Sequence, residues 1–84
     1  LALRGMLYLR AKNYAAALSD LRAASMDNPD TSAEFDAALA ETYWGLDEKD
    51  LARTHYESAL EKLPAGGPAP LWLKRLEEIM GQEN

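Results

Sequence analysis

Apolar residues along the chain recur three and four positions apart, not every second position. Tyr14, Ala17, Leu18, Leu21 and Ala24 form one stripe, and Ala52, Tyr56, Ala59, Leu60 and Leu63 form a second. That spacing puts each set on one side of an α-helix. Phe35, Leu39, Tyr43 and Leu46 trace a helix between them. After Pro70, the residues Leu73, Leu76 and Met80, flanked by Trp72 and Ile79, trace another. Pro70 suits a first helical turn, where its missing N–H removes no bond. Gly81 suits a terminator, with Gln82-Glu83-Asn84 as a polar end. Thr31 followed by Glu34 has the spacing of a capping box, so the helix carrying Phe35 is expected to start there. β-Branched residues are scarce and no stretch alternates apolar with polar. The expected fold class is therefore all-α, with about five helices.

Proline and glycine divide the pattern. Asn28-Pro29-Asp30 and the segment from Pro64 to Pro70 break the chain into three pieces, and Pro64 follows Pro29 by 35 residues. An interval of 20–50 residues is the mark of a repeat architecture. Polar turns at Lys12-Asn13 and at Asp47-Glu48-Lys49 split the first two pieces again, so each holds two helices. The expected organisation is a unit over 1–29, a second over 30–64, and a Pro/Gly linker with a capping helix over 65–84.

Small residues fall at fixed places in the stripes: Gly5, Ala17 and Ala24 in the first unit, then Ala40, Ala52 and Ala59 in the second. A small side chain on a contact face lets two helix axes approach toward ~8 Å, and an aromatic one turn away (Tyr8, Tyr43) fills the remaining space. The first unit reads Gly5-x-x-Tyr8, then Tyr14-x-x-Ala17-Leu18-x-x-Leu21-x-x-Ala24, closing at Pro29. The second reads Leu39-Ala40-x-x-Tyr43, then Ala52-x-x-x-Tyr56-x-x-Ala59, closing at Pro64. From Leu1 to Pro64 this resembles the tetratricopeptide repeat, a 34-residue helix–turn–helix unit. The resemblance implies antiparallel helix hairpins stacked as a fragment of an α-solenoid. The departures are a residue inserted near Asp30-Thr31-Ser32, Leu1 at a position commonly tryptophan, Arg4 for a leucine and Lys49 for an aromatic. The first helix is accordingly expected to be clipped.

In that family the first helix of each pair lines a concave surface that holds partner peptides. The resemblance therefore implies a partner-binding face of Ala2, Met6, Leu9 and Arg10 from the first unit with Ala37, Glu41 and Trp44 from the second. A protein or peptide partner is expected there, either an amphipathic helix or an extended segment. The carboxylate clamp of chaperone-binding members needs lysine and asparagine at positions held here by Ala2, Met6, Ala37 and Glu41, so chaperone tails are not expected to bind. A second expectation is self-association, because Leu1, Leu3, Leu7 and Leu9 lie on a helix with no N-terminal neighbour and such arrays usually need three or more units.

Charge and chemistry narrow the picture further. The chain of 84 residues carries 14 acidic and 9 basic side chains, a formal charge of −5 that opposes binding to nucleic acid or anionic membrane. Arg4, Arg10, Lys12 and Arg22 concentrate the positive charge near the N-terminus. No apolar run reaches the ~18 residues of a membrane span, and without cysteine there is neither a disulfide framework nor a thiolate metal site. His55, the single histidine, has no nucleophile in a recognisable catalytic arrangement and reads as a rim residue. Asp47, Glu48 and Asp50 lack the glycine and the ligand number of a calcium loop and read as helix-start acids. Gly66-Gly67, with no following Lys-Ser/Thr, is a hinge and not a phosphate loop. No cofactor, metal or catalytic activity is expected.

Overall fold

The structure, a computed structural model, describes residues 2–81, and its order is α1 (Ala2–Arg10), α2 (Tyr14–Asp27), α3 (Ala33–Gly45), α4 (Lys49–Glu61) and α5 (Leu71–Gly81), with no strand among those residues. The all-helical expectation holds. Leu1 and the polar end after Gly81 lie outside the described residues, as does any reading of how α5 terminates.

Both short turns have one construction. Lys12 (φ 60°) and Asp47 (φ 63°) take the left-handed conformation, 35 positions apart. The Lys12 N–H donates to the Leu9 carbonyl and the Asn13 N–H to the Tyr8 carbonyl. In the second turn the Asp47 N–H donates to Trp44 and the Glu48 N–H to Tyr43. This paired bonding satisfies carbonyls that a helix end otherwise leaves bare. Three-residue connections then return the chain at once, so α1 packs on α2 and α3 on α4. The second pair is antiparallel, since Asp36 meets Ser58 and Lys62 while Tyr43 stacks on His55.

The start of α3 differs from the sequence expectation by one residue. Ser32, not Thr31, is the N-cap, accepting from the Phe35 N–H at 3.1 Å. The Thr31 hydroxyl instead donates to the Asp36 carboxylate at 3.0 Å and accepts from the Lys62 ammonium at 3.1 Å. Asp36 also accepts from the Ser58 hydroxyl at 3.2 Å and pairs with Lys62 at 2.6 Å, and its side chain is buried. A buried carboxylate needs such partners, because leaving it unpaired costs several kcal/mol (roughly 3–5).

Two apolar clusters form the core. Leu9, Ala17, Leu21, Phe35, Ala38 and Leu39 join α1, α2 and α3. Ala37, Ala40, Ala59 and Leu76, with Tyr56, Trp72 and Met80 against them, join α3, α4 and α5. Ala17, Ala40, Ala52 and Ala59 have no exposed surface at all. At two further points nothing larger than glycine fits. A Cβ on Gly5 would lie 2.9 Å from Leu21 Cγ, and one on Gly45 would lie 2.5 Å from the Tyr14 ring. Leu60, expected in the α4 stripe, is instead exposed, as is Leu51.

Lys12→Gly is expected to stabilise the protein. A left-handed L-residue costs about 1–2 kcal/mol, of which glycine's greater freedom when unfolded returns about 0.5–1. Thermal unfolding should show a Tm higher by about 2–8 °C. Gly45→Ala should do the opposite, with a net loss of about 1–2 kcal/mol after about 1 kcal/mol of helix propensity is recovered. Denaturant titration should find that loss much reduced in a Tyr14→Ala background, because the ring it collides with is gone.

Candidate peptide-binding groove

The first helices of the two pairs and the C-terminal helix leave a groove between them. Its larger cleft, about 510 Å³, has Met6, Leu9 and Arg10 of α1 on one side. Its floor is Glu34, Ala37, Ala38 and Glu41 of α3, and its other side is Leu71, Trp72, Arg75 and Leu76 of α5, behind Pro70. Apolar side chains therefore dominate, with a few charged groups at the margins, as is usual in a ligand cleft. A second cleft of about 330 Å³ abuts it, lined by Lys12, Tyr14, Trp44, Gly45, Glu78 and Ile79. Glu41 and Arg75 line both.

Those two residues form the boundary. Arg75 donates from Nε and from a terminal guanidinium nitrogen to the two Glu41 oxygens, both at 2.9 Å. The fork geometry fixes the rotation of α5 against α3. The carboxylate's hydrogen bonds and its charge raise the Arg75 guanidinium above its ordinary value. Arg75 is more than half exposed, so the pair contributes orientation more than stability. Arg10, by contrast, is exposed at the rim and has no ion-pair partner among the described residues.

Of the residues expected on the concave face, Met6, Leu9, Arg10, Ala37 and Glu41 are brought together in the larger cleft. Leu9 and Ala37 are nearly buried there. Trp44 lies in the adjoining cleft, half-buried, with the Lys49 ammonium 3.5 Å from its ring centroid and the Arg53 guanidinium carbon at 5.9 Å. Ala2 is elsewhere, in a hollow with Ala24, Asp27 and Phe35. Leu71, Trp72 and Arg75 were outside the expected set. Pro70 and the apolar stripe predicted the helix that carries them, but sequence spacing says nothing about which side of α3 that helix takes.

Arg4 forks onto Asp20 at 2.6 and 2.9 Å, and that hydrogen bonding holds the Asp20 carboxyl below its usual range. The His55 ring stacks on Tyr43 with centroids 5.4 Å apart. Among the described residues no group of His, Cys, Asp or Glu side chains is placed to hold a metal ion, and no helix is long and apolar enough to cross a membrane. No family model matches the chain, nor does any curated protein or solved structure.

His55 sets a pH dependence. Burial holds its imidazole below the ordinary value, opposed by Asp36 and assisted by Lys62. The unfolded chain therefore binds a proton that the folded one resists, and stability present above about pH 6.5 is lost as pH falls below it. Because His55 is the single histidine, Tm measured at pH 7.5 and 5.5 should fall in the parent chain and fall less in His55→Gln.

Proposed function

We propose that this chain is a non-catalytic scaffold of tetratricopeptide type that holds a peptide or helix of a partner protein in the groove between α1, α3 and α5. The observation that carries the reading is the groove itself, an apolar cleft lined by Leu9, Ala37 and Ala38 together with Leu71, which is 85% exposed. A large side chain left in water beside an apolar cleft gains on being covered, about 25 cal/mol for each Å² of apolar surface.

The repeat reading has support of its own. The left-handed turns at Lys12 and Asp47 bond the same way 35 residues apart. At that interval Ala17 and Ala52 are both fully buried, and Gly5 and Ala40 are both buried against a neighbouring helix. In this reading α5 takes the place that the first helix of a third unit would occupy. The ligand is an amphipathic segment with a large apolar anchor, and Arg10 at the rim favours an acidic residue beside that anchor.

Selection of binding peptides from a random display library, followed by titration, tests this. Leu71→Glu and Arg10→Glu, both on exposed positions, should each weaken selected peptides by about tenfold or more while leaving the helical circular dichroism unchanged. Peptides that bind both variants as tightly as the parent would mean that the groove is not the binding site.

A further inference from the structure

Two walls of the groove share one register. On α3 the lining residues are Glu34, Ala37, Ala38, Glu41, Trp44 and Gly45, spaced i, i+3, i+4, i+7, i+10 and i+11, so they form one continuous helix face. On α5, Leu71 and Trp72 line the larger cleft, Glu78 and Ile79 the adjoining one, and Arg75 both. Each of these stands 34 positions after an α3 residue of the same cleft: Leu71 after Ala37, Trp72 after Ala38, Arg75 after Glu41, Glu78 after Trp44 and Ile79 after Gly45. On both walls the two clefts are therefore seven residues apart, which is two helical turns or about 10 Å. The Glu41–Arg75 fork falls midway between them.

This construction favours one backbone conformation in the ligand. The walls are helices, whose interior N–H and C=O groups are already bonded within each helix, and the described residues include no strand to offer a sheet edge. An extended segment would carry its own backbone polar groups against apolar side chains without partners, which costs free energy. A helix arrives with those groups already bonded. Spacing agrees, because positions on one helix face recur at seven residues and about 10 Å. Same-face positions of a strand recur every second residue, about 6.6 Å apart, and fall short of the second cleft or pass it. Ala37 and Ala38 project too little to hold a further helix away. At the fork the ligand meets Arg75, more than half exposed, with two of its N–H donors committed to Glu41 and the others available.

We propose that the occupant of the groove is an amphipathic α-helix with two large apolar side chains seven residues apart. One seats in the cleft of Leu71 and Trp72, the other in the cleft of Trp44 and Ile79. Between them, at i+3 or i+4, a hydrogen-bond acceptor side chain faces Arg75. This rests on the reading of the groove as a peptide site and adds the ligand's conformation and anchor spacing to it.

Display selection on the whole chain tests the proposal with two peptide libraries. One is an alanine-rich helical host of about 20 residues, long enough to hold helix in water, randomised at i, i+3, i+4 and i+7. The other is unconstrained and equally long. Host-library binders should carry large apolar residues at i and i+7, with Glu, Asp, Gln or Asn at i+3 or i+4. Truncating either anchor of the peptide to alanine should weaken binding at least tenfold. A proline at i+2, on the face turned away from the groove, should abolish it. Leu71→Glu and Trp44→Ala should each cost about tenfold with unchanged circular dichroism, and a peptide that lacks one anchor should respond to only one of them. Three results overturn the proposal: no binder from the helical host, proline-tolerant binders with anchors three residues apart, or binders indifferent to Trp44→Ala. If the peptides obtained, from either library, still respond to Leu71→Glu, the groove remains a peptide site and only the helical, two-anchor ligand is lost. Indifference to both protein variants removes the two readings together.

Discussion

Helices approach closely here because the side chains between them have been reduced almost to nothing, and the rest of the molecule follows from that approach. Ala17, Ala40, Ala52 and Ala59 are fully enclosed, and Gly5 and Gly45 lie under Leu21 and the Tyr14 ring with no room for a methyl group. Small residues bring axes together, but they bury little apolar surface themselves. The stabilising area comes from the large neighbours that close contact allows to interdigitate: Leu9, Leu21, Phe35 and Leu39 in one cluster, Leu76 with Tyr56 and Trp72 in the other. A chain this short buries only about 60–65% of the surface it exposes when unfolded. It therefore depends on that interdigitation being complete.

Polar contacts specify how the helices meet rather than how strongly. Arg4 and Asp20 join α1 to α2, Asp36 with Ser58 and Lys62 joins α3 to α4, and Glu41 with Arg75 joins α3 to α5. Each of these three interfaces thus combines one charged pair with apolar contact. Asp36 also gathers Thr31, so the residue before the α3 cap and the residue after α4 meet at one carboxylate. Nothing buried is left unsatisfied among the described side chains, as a small protein requires.

Helix positions were legible in the sequence because apolar period and turn residues act locally. The α2 stripe, the breaks at Pro29 and Pro64 and most of the small contact residues read correctly, whereas Leu46 of the expected α3 stripe is the C-cap beyond that helix and Ala24 is only half-buried. What escaped were pairings between distant positions. Asp20 and Asp36 give no local sign of their roles, since their partners lie 16 and 26 residues away. The cap moved from Thr31 to Ser32 because both side chains can cap, and tertiary contact with Asp36 claimed the threonine. Leu60 had the right spacing for the α4 stripe yet meets water. For the groove, five of the seven expected residues share one cleft. The α5 wall was not foreseen, because a Pro/Gly linker transmits no periodicity across it.

That linker has a consequence for how the groove works. Two of its walls belong to α1 and α3, which are tied together by short turns and a shared core. The third belongs to α5, joined through residues 62–70 and seated by Leu76, Trp72 and the Glu41–Arg75 fork. Nine residues can extend about 30 Å, comparable with the 32 Å breadth of the whole molecule. Any ligand that touches all three walls is bound only by molecules in which α5 is docked. Its apparent dissociation constant is the intrinsic one divided by the docked fraction. By linkage, the same ligand drives α5 onto α3, so recognition and completion of the fold share one equilibrium.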